Sequence, residues 1–288
     1  MKELRELAYA KINLSIDVLG VRPDGYHEVE MVMQSVDLCD ELILSLRDDE
    51  QIHLDCEKAV TSDPEDNLVL QTARLLKKRY SVKKGADLTL LKRIPVQAGL
   101  GGGSSDAAAT LRGLNHLWKL ELVPEELEHL AAELGSDIPY CIQGGTAFAF
   151  GRGEKVRKIP SFGRWNMLLI KPSFGLSTPK VYREFDKREH KVRYASRAIE
   201  NELRERKRIR FSRLKDFLHN DLQQISCGLS PEVGQLILSL ENRGAVALMC
   251  GSGPTVMGIF EDGKDREKAC KDYLDAGYRC YLVQTISY

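Results

Sequence analysis

The 288-residue chain has no net charge, no paired cysteine motif and no long apolar run, and each absence narrows what it can be. Lys and Arg total 42 and Asp and Glu total 42, so no global field recruits DNA, RNA or an anionic membrane, and any polyanion binding must be local. No apolar run approaches the roughly 20 residues that span a bilayer. The start MKELRELAYA has no apolar stretch followed by a small-residue cleavage site, which predicts a cytoplasmic protein. Seven cysteines include no CxxC pair and make an odd total. Neither a zinc site nor a disulfide framework is indicated, and free thiols in a reducing compartment are expected. Two phosphate-binding spellings are also missing. No lysine lies between Arg93 and Lys119, which excludes a P-loop, and Gly99-x-Gly101 is followed at the third position by Ser104, which excludes the dinucleotide fingerprint. What is present is 43% hydrophobic residues, enough to bury a core in one large domain or two ordinary ones.

Ala8, Ala10, Ile12, Leu14, Ile16 and Val18 alternate with Tyr9, Lys11, Asn13, Ser15 and Asp17, the period of a half-buried strand. Lys11 and Asn13 lie two residues apart on its polar face, so both project to the same side. A Pro23-Asp24-Gly25 turn leads to Tyr26-His27, and 41–46 and 51–56 read as a hairpin around Asp48-Asp49-Glu50. Carboxylates at Asp63, Glu65 and Asp66 precede a helical pattern over 67–80, and a strand over 86–91 runs into Pro95. An alanine-rich helix is expected over 106–117. Pro124 opens another, with Leu127, Leu130, Ala131 and Leu134 as its stripe and Gly135 as its stop. Ser136-Asp137-Ile138-Pro139 follows at once. In the second half a strand over 166–170 precedes Ser177-Thr178-Pro179, where Thr178 can cap a helix with Pro179 in first position. A helix over 230–242, a strand, the turn Gly251-Ser252-Gly253-Pro254, a strand, a helix and a strand complete the chain, an order that suggests an antiparallel sheet backed by helices.

The strongest chemical signal is Pro95-Val-Gln-Ala-Gly99-Leu100-Gly101-Gly102-Gly103-Ser104-Ser105-Asp106. Its glycines allow positive φ and close backbone approach, and the helix that follows points unpaired N–H groups back into the loop. That is an anion cradle, and polyphosphate is its natural occupant.

PVQAGLGGGSSDAAA resembles the phosphate-binding motif of the galactokinase, homoserine kinase, mevalonate kinase and phosphomevalonate kinase (GHMP) superfamily of small-molecule kinases. AYAKINLSIDVLGVRPDGYHEVEMVMQSVDL, GSDIPYCIQGGTAFAFGRGE and CGSGPTVMGIF extend the resemblance over essentially the whole chain, weakest across 187–215. It implies an α+β, two-domain GHMP kinase fold. A ribosomal-protein-S5-like N-terminal ATP-binding and catalytic half would cover 1–160 and a ferredoxin-like C-terminal half 161–288, with a substrate cleft at the junction. It further implies ATP-dependent phosphorylation of a hydroxyl on a small molecule carrying cytidine diphosphate.

By the same resemblance the catalytic base falls at Asp137 and its partner at Lys11. Pro95, Gly99, Leu100, Gly101, Gly102, Gly103, Ser104 and Ser105 would hold ATP, with Lys92 flanking the adenine. Tyr26, His27 and Tyr182 would recognise cytidine, since aromatic rings sandwich a pyrimidine and an imidazole bonds its polar edge. Asn13, which shares a face with Lys11, and Thr178, at a helix opening, are candidates for the substrate's phosphates. Gly251-Ser252-Gly253 resembles the third superfamily motif, which packs beside the glycine loop. Magnesium should accompany ATP, but no Asp/Glu pair marks a dedicated metal site, so phosphates and water should hold most of it. Homoserine, mevalonate or a sugar remain alternative substrates, as does a non-catalytic ATP-binding scaffold. From Lys187 to Lys215 twelve Lys or Arg face four acidic residues, a local charge of +8. A solvated basic helix face or excursion is expected there, with a positive rim for a polyphosphate substrate as the other reading.

Overall fold

The computed structural model describes residues 3–56 and 63–286. In its first half the chain runs through β1 (Leu4–Val21), β2 (His27–Arg47), β3 (Ile52–Cys56), α1 (Leu68–Arg79), β4 (Gly85–Leu91), α2 (Gly102–Leu117), α3 (Pro124–Leu134), α4 (Ile138–Gln143), β5 (Thr146–Gly151) and β6 (Lys155–Lys158). The second half holds β7 (Asn166–Lys171), α5 (Thr178–Phe185), α6 (Ala195–Arg206), α7 (Leu214–Phe217), β8 (His219–Asn220), α8 (Gln223–Leu229), α9 (Pro231–Glu241), β9 (Val246–Met249), β10 (Val256–Phe260), α10 (Gly263–Asp275) and β11 (Arg279–Gln284). These elements form two compact units interleaved along the chain, one of residues 1–10, 38–96 and 101–144 and the other of 11–37, 97–100 and 145–288. β1 and β2 each pass from one unit to the other within a strand.

In the first unit the strand order is β3-β4-β2, with β4 antiparallel to β2 and parallel to β3. The hairpin expected from 41–46 and 51–56 is therefore not formed, because β4 lies between its two arms. A Cβ on Gly85 would stand 2.0 Å from the Gln51 carbonyl oxygen, so only glycine lets β4 enter beside the turn. Arg47 holds that turn by pairing with both Asp49 and Asp87. α1 starts where the acidic turn predicts, with Asn67 Oδ1 accepting Val69 N–H at 2.9 Å. Its last turn is basic, which suits the helix dipole. α2 begins at Gly102, four residues before the expected start, so glycines and serines form its first turn. Its alanines 107–109 are fully buried among Leu42, Leu44, Leu76, Leu88 and Leu90. α3 runs from Pro124 to Leu134 and stops at Gly135 as its stripe predicts.

In the second unit the order is β6-β5-β2-β1-β8, with β8 parallel to β1, and β11-β7-β10-β9 form a separate, wholly antiparallel sheet. The half-buried reading of β1 needs correction, because its polar face is covered too. Lys11 is 4% exposed, and Asn13, Ser15 and Asp17 are fully buried. The N-terminus of α6 covers this face, with Asp17 accepting Ala195 N–H at 3.0 Å and Ser196 N–H at 2.8 Å and Ser15 Oγ bonding Ser196 Oγ at 2.8 Å. Each buried polar group thus has a partner, the condition under which such burial is tolerated. Ser177, not Thr178, occupies the cap position of α5, which frees the Thr178 hydroxyl for another role. α9 keeps its expected bounds and buries Val233, Leu236, Ile237 and Leu240. Among the described residues no helix is long and apolar enough to cross a membrane.

Candidate active site

At the glycine loop the backbone conformation is explicit. Gly101 is the residue before α2 and is left-handed, with φ 67° and ψ 22°. Ser105 N–H already bonds Gly101 O at 2.8 Å, so the N–H groups of Gly102, Gly103 and Ser104 are the ones aimed out of the helix start. Ser105 is turned inward, its hydroxyl donating to Tyr9 O. Leu100 is buried and Pro95 half-buried.

Lys92 lies directly behind this first turn, its Nζ 3.4 Å from where a Cβ on Gly102 would stand. The ammonium is held by two carboxylates, Asp40 and Asp106, with Asp106 Oδ2 at 2.6 Å. Asp40 Oδ1 also accepts the N–H groups of Arg93 and Ile94, which fixes the exit of β4 into the loop. Asp106 Oδ1, by contrast, is buried without a hydrogen-bond partner. Burial, only partly offset by Lys92 and reinforced by Asp40, pushes the Asp106 carboxyl up to about 7. The Lys92 pKa is raised by the same two carboxylates, although burial works against it.

In the second unit Lys11, Asn13, Gly99 and Thr178 gather around the Gly251–Gly253 turn. Lys11 N–H bonds Leu100 O at 2.9 Å, and its Nζ donates to Asn13 Oδ1 at 2.9 Å. A Cβ on Gly251 would stand 3.6 Å from Lys11 Nζ, and one on Gly99, at φ +75°, would stand 2.3 Å from Cys250 O. The loop and the turn therefore touch through backbone alone, which only glycine permits at Gly99. Asn220 Nδ2 pins the turn by donating to Met249 O at 2.9 Å and Gly251 O at 2.8 Å. Thr178 Oγ1 bonds Ser252 Oγ at 2.7 Å. Burial pushes the Cys250 thiol up to about 12 despite the Lys11 charge, so this cysteine is no nucleophile.

Asp137 immediately precedes α4 in helical conformation, φ −83° and ψ −14°, and its side chain makes no capping bond to that helix. His27 and Tyr182 are brought together, with ring centroids 4.6 Å apart and planes tilted by 35°. Phe185 adds an edge contact at 6.5 Å, and Asp186 Oδ1 lies 2.7 Å from His27 Nε2. Tyr26 is 55% exposed and its ring carries the Arg152 guanidinium at 4.9 Å.

Sequence reasoning assigned no role to Asp40, Asp106, Asn220 or Asp186. Only Asp186 left a signal, since it falls eight residues after Thr178 on the helical face that also carries Tyr182. The basic stretch becomes α6 and α7, and many of its cations are spent on carboxylates, Arg197 on Glu30, Arg204 on Glu200 and Arg213 on Glu202 among them. Among the described residues Asp17, His219 and Asp221 could together face a metal ion, but Asp17 caps α6 and Asp221 accepts Val18 N–H and His219. The first turns of α2 carry Ser104 and Asp106, and Asp106 Oδ1 has no hydrogen-bond partner, so hydroxyl and carboxylate oxygens of the type that suits magnesium are present there.

Residues 67–145 match the GHMP kinases N terminal domain and residues 202–279 the GHMP kinases C terminal domain. The 4-diphosphocytidyl-2-C-methyl-D-erythritol kinase of Shouchella clausii is 48% identical over 282 residues, 96% of this chain and 94% of its own. That of Bacillus pumilus is 46% identical over 260 residues, 89% of this chain and 88% of its own. A crystal structure of 4-(cytidine 5'-diphospho)-2C-methyl-D-erythritol kinase superposes with a TM-score of 0.81 at 28% identity, covering 99% of this chain and 100% of that one. An L. major mevalonate kinase structure reaches a TM-score of 0.77 at 16% identity over 99% of this chain and 96% of its own, a likeness of fold alone. The chain belongs to the GHMP kinases and, within them, to the 4-diphosphocytidyl-2-C-methyl-D-erythritol kinase family.

Proposed function

We propose that the protein transfers the terminal phosphoryl group of ATP to the 2-hydroxyl of 4-diphosphocytidyl-2-C-methyl-D-erythritol, giving the 2-phosphate and ADP, in the cytoplasmic supply of isoprenoid precursors. The observation that carries the reading is the 46–48% identity to kinases of that name over nearly the whole chain. The His27–Tyr182 ring pair adds to it, because homoserine or mevalonate offers nothing to stack on such a pair.

Phosphoryl transfer needs a phosphate cradle, countercharge and a group to accept the hydroxyl proton. The N–H groups of Gly102, Gly103 and Ser104 supply the cradle, with Pro95, Gly99, Leu100, Gly101 and Ser105 shaping it. Lys92 serves the nucleotide from behind Gly102. Asp137 accepts the proton of the 2-hydroxyl as the new bond forms, and the Lys11 ammonium stabilises the oxygen that loses it. Asn13 and Thr178 hold the substrate's diphosphate, and Tyr26, His27 and Tyr182 its base. Magnesium would be held by the nucleotide with Ser104 and Asp106 as protein oxygens, and would supply countercharge to the phosphates. On this reading ATP binding and catalysis are carried by the sequence span 1–160 and the C-terminal GHMP part by 161–288, spans of sequence that do not coincide with the two interleaved compact units.

The test is ADP release from ATP with the cytidyl substrate, run beside homoserine and mevalonate. Turnover on the cytidyl substrate alone, lost by several powers of ten in Asp137→Asn, is the expected result. Turnover on another substrate would reassign the enzyme within its superfamily. Equal turnover in Asp137→Asn would remove the base, and ATP binding with no turnover at all would leave a scaffold.

A further inference from the structure

We infer that Asp186 is a positioning residue that fixes the tautomer of His27 and thereby sets the choice of cytosine over uracil. The inference rests on the reading of His27 as the residue that recognises the base.

α5 carries the contacts in order along one side. Thr178 bonds Ser252, Tyr182 lies against the His27 ring, Phe185 meets that ring edge-on at 83°, and Asp186, just past the helix, reaches His27 Nε2 at 2.7 Å. The offsets of four, seven and eight from Thr178 share a helical face. From Thr178 to Asp186 the helix rises about 12 Å, so one rigid element links the glycine turn to the imidazole. The His27 side chain is only 10% exposed, and two rings and a carboxylate hold it.

An ionised carboxylate accepts hydrogen bonds and donates none, so the nitrogen facing it must carry the proton. In the neutral imidazole that leaves the lone pair on Nδ1, which makes no hydrogen bond among the described residues. A fixed acceptor at this point takes the exocyclic amino group of cytosine. It opposes the carbonyl that uracil presents at the equivalent position, and accommodating uracil would require the proton to move to Nδ1, leaving two lone pairs face to face at Asp186. Asp186 thus converts an imidazole that can serve either base into one that serves cytosine.

Helix energetics give no competing reason for this residue. An anion at the C-terminal boundary of a helix opposes the helix dipole, and Asp186 occupies that boundary of α5. Removing its charge should therefore leave α5 folded.

The experiment compares wild type and Asp186→Asn at pH 8. kcat and KM are measured with the cytidyl substrate and its uridyl analogue, and the tautomer of His27 is read by nitrogen-15 NMR. Asparagine keeps the size and, by turning its amide, can face Nε2 with either a donor or an acceptor. The expected result is a single Nε2–H tautomer in wild type and a mixture in the variant. The cytidyl to uridyl ratio of kcat/KM should fall about tenfold or more, with kcat on the cytidyl substrate within about threefold. A purely structural role would weaken both substrates alike and leave the ratio unchanged. An unchanged ratio, or an unchanged tautomer in the variant, would overturn the inference. If wild type itself shows no preference for the cytidyl substrate, the base-recognition reading fails instead, and that is visible before any variant is made.

Discussion

Lys92 binds two carboxylates with one charge, and the imbalance falls on Asp106. Its carboxyl is held near 7 by burial against an ordinary 3.8. Between those values the folded chain keeps a proton that the unfolded chain has released, so stability falls as pH rises and the penalty is fully present above about 7. Asp106→Asn leaves a balanced Asp40–Lys92 pair. The variant should melt above wild type at pH 8, and the difference should close as pH falls towards 5. A Tm difference that does not vary with pH over this range would count against the protonation argument. None of this was legible in the sequence, because Asp40 lies in a strand and its partner 52 residues away. Lys11 and Asn13 were legible, because a strand's period places them side by side without reference to any distant residue. His27 and Asp186 are 159 residues apart, beyond the reach of any local pattern.

At the scale of elements, the same distinction separates what the pattern foretold from what it did not. α3 and α9 announced themselves because a proline, an apolar stripe and a glycine, Gly135 or Gly244, lie within one short window. The 41–46 and 51–56 hairpin failed because strand pairing is not local, and β4 competes for the same edge. β1 was placed correctly but its polar face was read as wet, since nothing in 8–18 shows that α6 will cover it. That cover is strong enough to measure. Asp17→Ala strips the acceptor from two buried N–H groups at the start of α6, at about 1–3 kcal/mol each. A loss of roughly 2–6 kcal/mol in urea unfolding is expected, with faster amide exchange confined to α6 and its neighbours. A loss below about 0.5 kcal/mol, the range of an ordinary surface change, would show that water replaces the carboxylate without penalty.

At the scale of the molecule, the two compact units are not two stretches of chain. The unit built on 145–288 borrows 11–37 and 97–100 from the other half. A fragment of residues 161–288 contains every strand of the β11-β7-β10-β9 sheet but lacks Asp17, Ser15 and β1. Expressed alone, it should protect the amides of β7 and β10 from exchange while α6 exchanges freely. Protection of α6 in the fragment would mean that Asp17 is dispensable to that helix. The boundary near 160 that the resemblance implies is a division of the sequence, and a division of the sequence does not reveal borrowed strands.

Asp17 and Ser196 are 179 residues apart, so at the usual 5–20 residues per second of synthesis the strand waits about 10–40 s on the ribosome for its cover. During that interval one face of β1 in the nascent chain shows Lys11, Asn13, Ser15 and Asp17, while the other carries the aliphatic side chains from Ala8 to Val18. A charged strand face is a poor template for pairing with other chains. The side chains that the finished enzyme buries on that face thus leave the unfinished strand one sticky side instead of two.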